Sequence, residues 1–548
     1  MDDAPRQGPT MHRRGFLGAI AAGAGATALA ACTSSGGSDA EGTSAKPGPL
    51  TTADRSTATT PPKVPAATGI ASDPFQLGVA SGDPLPASVI LWTRLATDLE
   101  DPSGNGGLGT RDHQVLWEVA KDEAFDDVVA TDLADAPGRY GHSVHAEATD
   151  LDPDTWYWYR FRIGDHTSPT GRTRTAPADG ADVDQLKVAF ASCQLRTAGH
   201  WTAYPHLVED APDLVMFLGD YIYEYPGGEG DLKIPLDAEP QDLADYRVLY
   251  AAYKKDERIQ AAHAVAPWVV TWDDHEVENN YAAAIPEHDE DRPTFATRRK
   301  AAYQAFWEHH AVRMDPPAKD GSLQVYRSFR WGNLADVFVL DGRQYRSDQV
   351  CGDKVGTNAT ECTELDDASH TMLGKVQEQW LDDGLAGSEA TWRVLAQQTV
   401  MHALKIGDIV LNVDQWDGYP QARARLLESI EAGKIDNVVV LTGDIHAGGA
   451  ADIRSPNADL EGTIVATEIV GTSISSPGFG AIVGDIDLSS LGLHYANFRD
   501  HGYARCTITP TTWRTDFVVV DTIEDETSSA RVDATVEVKA GTPGMRRL

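Results

Sequence analysis

Positive charge, cysteine and long apolar runs are all scarce in this sequence, and each scarcity excludes something. Its 548 residues hold 46 Lys and Arg against 83 Asp and Glu, a formal charge of −37. A field of that sign repels phosphate backbones, which excludes general nucleic-acid coating unless a strongly basic groove is present. The same charge favours divalent cations. Five cysteines are too few for a disulfide-built scaffold, but they leave room for one bridge and a thiolate ligand. The one extended apolar run, Phe16 to Ala31, spans sixteen residues diluted by Gly and Ala. That falls short of the about 20 residues a membrane-spanning helix needs. The rest, 41% hydrophobic and 24% charged, suits a soluble chain with a large core and two or more domains.

The N-terminal 32 residues read as an address. Arg13 and Arg14 precede the mild apolar run, as in a bacterial twin-arginine export signal, and an ordinary secretory signal with a chance arginine pair is the alternative. Leu29-Ala30-Ala31-Cys32 matches a lipoprotein cleavage box that would leave Cys32 lipidated; simple cleavage after Ala28-Leu29-Ala30 is the other outcome. Either way the mature chain is expected outside the cytoplasm, touching membrane only through such a lipid. Residues 33–73 are read as a disordered tether, because Ser, Thr, Gly, Pro and Ala bury too little apolar surface to offset ordering entropy.

From residue 74 to 178 the pattern is short and β-rich. Ser88 to Ala96 and His113 to Asp122 give strand-length runs, and Trp156 to Ile163 alternates aromatic with polar or basic residues. Several such strands over about 100 residues predict an immunoglobulin- or fibronectin-III-like sandwich, serving either as packing against an enzyme or as a substrate- or wall-binding module.

Then strand-length apolar runs repeatedly end in metal-capable residues. Leu186 to Ala191 leads to Cys193, Leu214 to Leu218 to Asp220 and Tyr223, and Trp268 to Trp272 to Asp273, Asp274, His275 and Glu276. Asp336 to Leu340 leads to Asp341 and Arg343, and Asn437 to Leu441 to Asp444 and His446. One strand-end Asp is an ordinary turn residue. Several, each with different ligand types, describe an α/β sheet with a metal site at its C-terminal edge. The spacing resembles the calcineurin-like metallophosphoesterase skeleton, in which the second strand's carboxylate, here Asp220, bridges two cations. Tyr223, three residues on, offers a phenolate suited to Fe³⁺ rather than to a pair of zincs.

The fuller motifs FASCQ, FLGDYIYE, TWDDHEVENNY, LDGRQYRSDQ and LTGDIHAG, with FQLGVASGDP and VILWTRL before them, resemble those of PhoD-type alkaline phosphatases and phosphodiesterases over residues 74–522. The resemblance implies an αββα catalytic domain over 184–522 following the sandwich; beyond it, the weak alternation of Val532, Ala534, Val536 and Val538 predicts a late strand and a frayed end over 523–548. It implies one Fe³⁺ and two Ca²⁺ held by Cys193, Asp220, Tyr223, Asp274, Asp444 and His446. Asn280, or Asn279 in its place, would contact phosphate or calcium. Where common relatives have Gly-His-x-His, this chain has Gly-Asp-x-His, a carboxylate suited to calcium. Cations of this kind lower the pKa of a bound water to give hydroxide, which attacks small phosphate esters in line. Phospholipase D-like or teichoic-acid diesters are alternative substrates, and a non-catalytic, calcium-stabilised surface lipoprotein is the rival outside enzymology.

Other residues keep two readings. His275 either protonates the leaving oxygen or is a structural turn histidine. Arg298 and Arg299 either clamp phosphate or lie on a helix face, and Arg343 is a second clamp or an ion-pair partner. Cys351 and Cys362 are expected to form a disulfide near the site rim, and Cys506 to be a buried thiol. Trp201, Trp272, Tyr281, Trp307 and Trp416 either line the mouth or fill the core. The expected partners are substrate and export machinery, with the chain a monomer.

Overall fold

The structure, a computed structural model, describes residues 62–458, 460–478 and 491–548. The export signal, Cys32 and most of the tether lie outside those residues. The tether's last part does not follow expectation: Ile70 is buried in the N-terminal core, and Pro65 accepts a hydrogen bond from the Gly164 amide at 2.7 Å. One aliphatic side chain in a polar segment was enough to fasten it.

Two sheets stack face to face. Three parallel strands, Leu186–Ala191, Leu214–Leu218 and Trp268–Thr271, form the middle of a ten-stranded sheet. Four more, Ala335–Val339, Trp392–Ala396, Val438–Thr442 and Thr463–Val470, form the middle of a seven-stranded sheet. Parallel strands covered on both faces read as continuous apolar runs, and the side chains divide with period two. Leu186, Val188 and Phe190 point into the core between the sheets, beside Val337, Val394 and Val439. Ala189 and Ala191 point outward, under helices Leu243–Lys254, Glu257–Val265 and Arg292–His309. Helices Gly374–Gly387 and Pro420–Gly433 cover the outer face of the second sheet through Leu381, Leu385, Leu427 and Ile430. The result is an αββα sandwich. Trp201, Trp272, Tyr281, Trp307 and Trp416 are all buried in it.

The N-terminal sandwich is present but not separate. One of its sheets comprises Val128–Ala136, His113–Ala120 and Trp156–Ile163 with two short companions. Its other strands, Val79–Leu85, Ser88–Arg94 and Ser143–Ala148, belong to the ten-stranded sheet itself. Val79–Leu85 runs parallel to Trp268–Thr271, with Gly82 opposite Trp268. A Cβ on Gly82 would lie 2.1 Å from the Ala311 carbonyl oxygen, so only glycine permits this approach. Polar ties seal the junction: Asp83 takes Arg327 at 2.8 Å, and the Trp92 indole donates to the Glu308 carbonyl at 2.9 Å.

At the other end, the frayed tail is corrected to a hairpin. Ala530–Lys539 and Thr542–Arg547 complete the edge of the ten-stranded sheet, because Ala534, Val536, Val538 and Met545 bury into the central core. Among the described residues no helix is long and apolar enough to cross a membrane.

Candidate metal centre

The C-terminal ends of the parallel strands converge, and the chain turns sharply there. Cys193, Asp220, Asp444 and His446 adopt left-handed backbone angles, φ 59°, 56°, 64° and 50°. Such angles are uncommon outside glycine and mark places where surrounding structure overrides local preference. The preceding glycines make the crowding possible. A Cβ on Gly219 would lie 2.5 Å from the Asp273 Cβ, and one on Gly443 2.5 Å from Ser192 Oγ. Glu276 ties two of the turns together, its carboxylate accepting from the amides of Asp220, Tyr221 and Asp273 at 3.1, 2.6 and 2.7 Å.

Three overlapping groups of ligand atoms result, each within 4.8 Å: Cys193, Asp220 and His446; Asp220, Asp274 and His275; and Asp220, Asp273, Asp274 and Asp444. Asp220 is common to all three. The Tyr223 hydroxyl joins the first, 2.9 Å from Asp220 Oδ2 and 3.0 Å from His446 Nε2, and accepts from Ser476 Oγ at 2.7 Å. The donor types differ between groups. Thiol, phenol and the His446 imidazole gather around Asp220 in the first, and the third is made of carboxylates alone.

Electrostatics shows what is missing without positive charge. Burial, reinforced by the neighbouring acids, pushes the Asp220 carboxyl and the Cys193 thiol well up, and burial does the same to the Tyr223 phenol. Burial with Asp274 and Asp414 lifts Asp444 to about 7. Asp220 Oδ1 and Asp273 Oδ2 are buried and accept no hydrogen bond; Asp274 Oδ1 meets only the Arg343 guanidinium, at 3.4 Å. Buried oxygens left this way cost free energy unless a cation supplies the partner. The residues therefore fit metal ions. Burial lowers His446 to about 4, and its Nδ1 faces the Pro477 carbonyl at 3.0 Å, which turns the Nε2 lone pair toward Tyr223. For His275, burial opposes protonation, but Glu224, Asp274 and Asp220 outweigh it and hold the imidazole well above its usual range. Its Nδ1 lies 2.7 Å from Glu224.

The structure thus gathers Cys193, Asp220, Tyr223, Asp274, His275, Asp444 and His446. Asn280 lies beside the cluster, its backbone N–H donating to Asp274 Oδ2 at 2.7 Å. Asn279 turns its side chain to Glu287 at 2.9 Å. The arginines are not brought to the open side of the cluster. Arg298 is taken up by Glu278 and, at 3.1 Å, by Glu239, while Arg299 donates to the Ala283 carbonyl. Arg343 is fully buried, bonded to Asp273 and doubly to Asp414 at 2.8 and 2.7 Å, in keeping with its ion-pair reading. Cys351 and Cys362 form a disulfide; Cys506 is a buried free thiol. Sequence reasoning placed Asp273 at a strand end but passed it over for Asp274 as the ligand, and it missed Asp414, a loop residue without a motif. Burial works against the ionisation of Asp414, but Arg343 and Arg346 hold it far below the usual carboxylate range.

A strand-end cluster sharing one carboxylate, between two stacked sheets, defines a metallophosphoesterase-type centre. The chain belongs to the PhoD-like phosphatase family: the family's catalytic model matches residues 188–517, and the model of its N-terminal domain matches 59–177. It is 44% identical over 497 residues to alkaline phosphatase D of Bacillus subtilis (strain 168), covering 89% of this chain and 84% of that protein. A solved structure of PhoD superposes with a TM-score of 0.82 at 42% identity, covering 87% of this chain and 93% of that one. The protein is a phosphoric ester hydrolase of the alkaline phosphatase D type.

Proposed function

We propose that the protein is an exported, metal-dependent phosphoesterase whose centre takes one Fe³⁺ and two Ca²⁺. The observation that carries this reading is the set of buried carboxylate oxygens without hydrogen bonds around Asp220. Cys193, Tyr223, His446 and Asp220 would hold the iron, since thiolate and phenolate suit a trivalent transition metal. Asp220, Asp274 and Asp444, with Asp273 and Asn280 beside them, offer the all-oxygen surroundings calcium prefers. When bound, the ions supply Lewis acidity to the phosphoryl oxygens and acidify water.

The chain's own residues do the rest. His275, paired with Glu224 at 2.7 Å, would give its proton to the departing ester oxygen. Glu276 and the two glycine turns keep the carboxylates in register. Ser476 fixes the Tyr223 phenol. Arg343 keeps Asp273 and Asp414 in place and serves the scaffold rather than the phosphate. The twin-arginine pattern at Arg13 and Arg14 supports export, and a disulfide in a five-cysteine chain supports a location outside the cytoplasm. Cys32 is the proposed lipid attachment point, and the enzyme is proposed to act as a monomer.

The test is nitrophenol release from mono- and bis-nitrophenyl phosphate by the mature protein, with metal content measured on the same sample. Activity lost to a calcium chelator and restored by Ca²⁺, with iron retained, is the expected result. The ratio of the two rates assigns monoester or diester preference. Full activity after both metals are stripped would overturn the reading.

A further inference from the structure

Residues 349–366 form a strap beside the cluster. The Cys351–Cys362 disulfide closes it across 11 positions, and Val350, Cys362 and Leu365 pack with Val410 and Val413 into a small core of their own. A short strand, Thr357–Asn358, pairs with Ile409–Val410, which pairs with Lys405–Ile406. Within the disulfide loop Cys351 and Asp353 both take left-handed angles, φ 54° and 52°, and the Cys351 amide donates to Glu364 at 2.7 Å. This bend carries Asp353 inward.

There Asp353 Oδ2 accepts from Asn280 Nδ2 at 2.6 Å. The same strap contributes Gln349, whose amide donates to the Asn280 carbonyl and to Asp414 Oδ1, each at 2.7 Å. Asn280 is itself fastened to Asp274 through its backbone. An asparagine amide has an oxygen end and an NH₂ end of nearly the same shape, and an ionised carboxylate can only accept. Asp353 therefore selects the NH₂ end, and Oδ1 becomes the end turned away from the strap. A hard cation accepts only that oxygen end.

We propose that Asp353, carried on the disulfide-closed strap, is a positioning residue that fixes the Asn280 amide with its oxygen available to a cation. The inference rests on the cation reading of the cluster and adds a residue and a device to it. The disulfide's part is to hold a loop with a minimal core in the shape that brings Asp353 and Gln349 to Asn280.

Calcium titration of the mature, calcium-stripped protein by calorimetry tests it, with thermal melting and nitrophenyl phosphate kinetics in parallel. Asp353→Ala is expected to weaken calcium binding about ten-fold or more, as removal of an orienting partner typically does, with little change in melting. Asp353→Asn keeps the shape but can donate as well as accept, so an intermediate loss is expected. The double substitution Cys351→Ser with Cys362→Ser should weaken calcium in the same direction. Combined with Asp353→Ala it should add little, since both act through one contact. Calcium affinity within about two-fold of wild type in Asp353→Ala would overturn the proposal, as would full additivity with loss of the disulfide. Wild-type protein that binds no calcium at all would instead overturn the cation site, and this inference with it.

Discussion

Among the described residues, one acidic and one basic cluster of buried titratable groups are treated in opposite ways. The acidic cluster at the strand ends leaves oxygens without partners, and burial forces the Asp220 and Asp273 carboxyls up, while, against burial, Arg343 and His275 hold Asp274 low. The basic cluster lies beneath the N-terminal strands and comprises Lys254, His263, His309 and His310. Lys254 is 1% exposed and ion-pairs with no carboxylate among the described residues; its amine meets His263 Nε2 at 3.4 Å and the Trp92 and Tyr221 rings at 4.5 and 5.0 Å. Burial lowers it to about 7 and drives His263, His309 and His310 well below their ordinary value. A buried base can discharge itself by losing a proton to solvent. A carboxylate that must stay ionised to act as a ligand has no such exit, so it needs a cation. The contrast separates a site from a structural brace: both hold buried atoms without hydrogen-bond partners, among them both His310 ring nitrogens, but only the acidic cluster must carry charge in its working state.

The largest effect should come from the residue common to all three ligand groups. Asp220→Asn is expected to abolish measurable ester hydrolysis. It should also raise the melting temperature of the metal-stripped protein, because it removes a buried carboxyl that ionises at a cost. Scanning calorimetry of stripped wild type and variant checks this, and a lower melting point for the variant would break the comparison.

His275→Ala comes next, with a fall in kcat of about 10²-fold or more for esters with poor leaving groups, as loss of a general acid predicts. Nitrophenyl esters, whose leaving oxygen needs no proton, should lose much less. Equal losses on both classes would make His275 a structural histidine.

The pH dependence of stability should differ between metal-free and metal-loaded protein. Acids with raised pKa bind protons more tightly when folded, so the acidic cluster alone makes stability fall as pH rises above the ordinary carboxyl range. Bases with lowered pKa do the reverse. The unfolded chain takes up the Lys254 proton as pH drops below about 10.5, so that contribution to stability declines until about 7, and the histidines continue the decline below 6.5. Bound cations cancel the acidic trend and leave the basic one. Melting curves across pH should therefore peak at higher pH with metals than without.

The smallest effect is predicted for Lys254→Met, which fills the same volume without an amine. It should stabilise the protein at neutral pH by about 1–2 kcal/mol and flatten the alkaline slope, with kcat unchanged.

The sequence made the ligand-bearing strands legible because buried parallel strands are continuous apolar runs, and the residue after each run is fixed by chain geometry. The six gathered ligands and His275 came from those positions. The arginines were not legible. A guanidinium that grips phosphate and one that grips a carboxylate look alike in sequence, and the partners that decide between them lie far off: Glu278 is 20 positions from Arg298, and Asp273 is 70 from Arg343. Asp414 was hidden for the same reason, since its meaning comes from Arg343, Arg346 and Gln349 and not from its neighbours in the chain. The alternation of Val532, Ala534, Val536 and Val538 announced the late strand Ala530–Lys539, but the Ile70 anchor and the closing strand Thr542–Arg547 were missed because single apolar residues in polar segments carry no periodic signal.

The pairing of Gly82 with Trp268 makes the N-terminal module a guard of the catalytic sheet. Trp268–Thr271, the strand that delivers Asp273, Asp274 and His275, would without Val79–Leu85 present a bare edge of backbone donors and acceptors. Exposed edges of that kind recruit other chains. Cutting the protein between its two family regions would therefore release a catalytic half that polymerises through its own active-site strand.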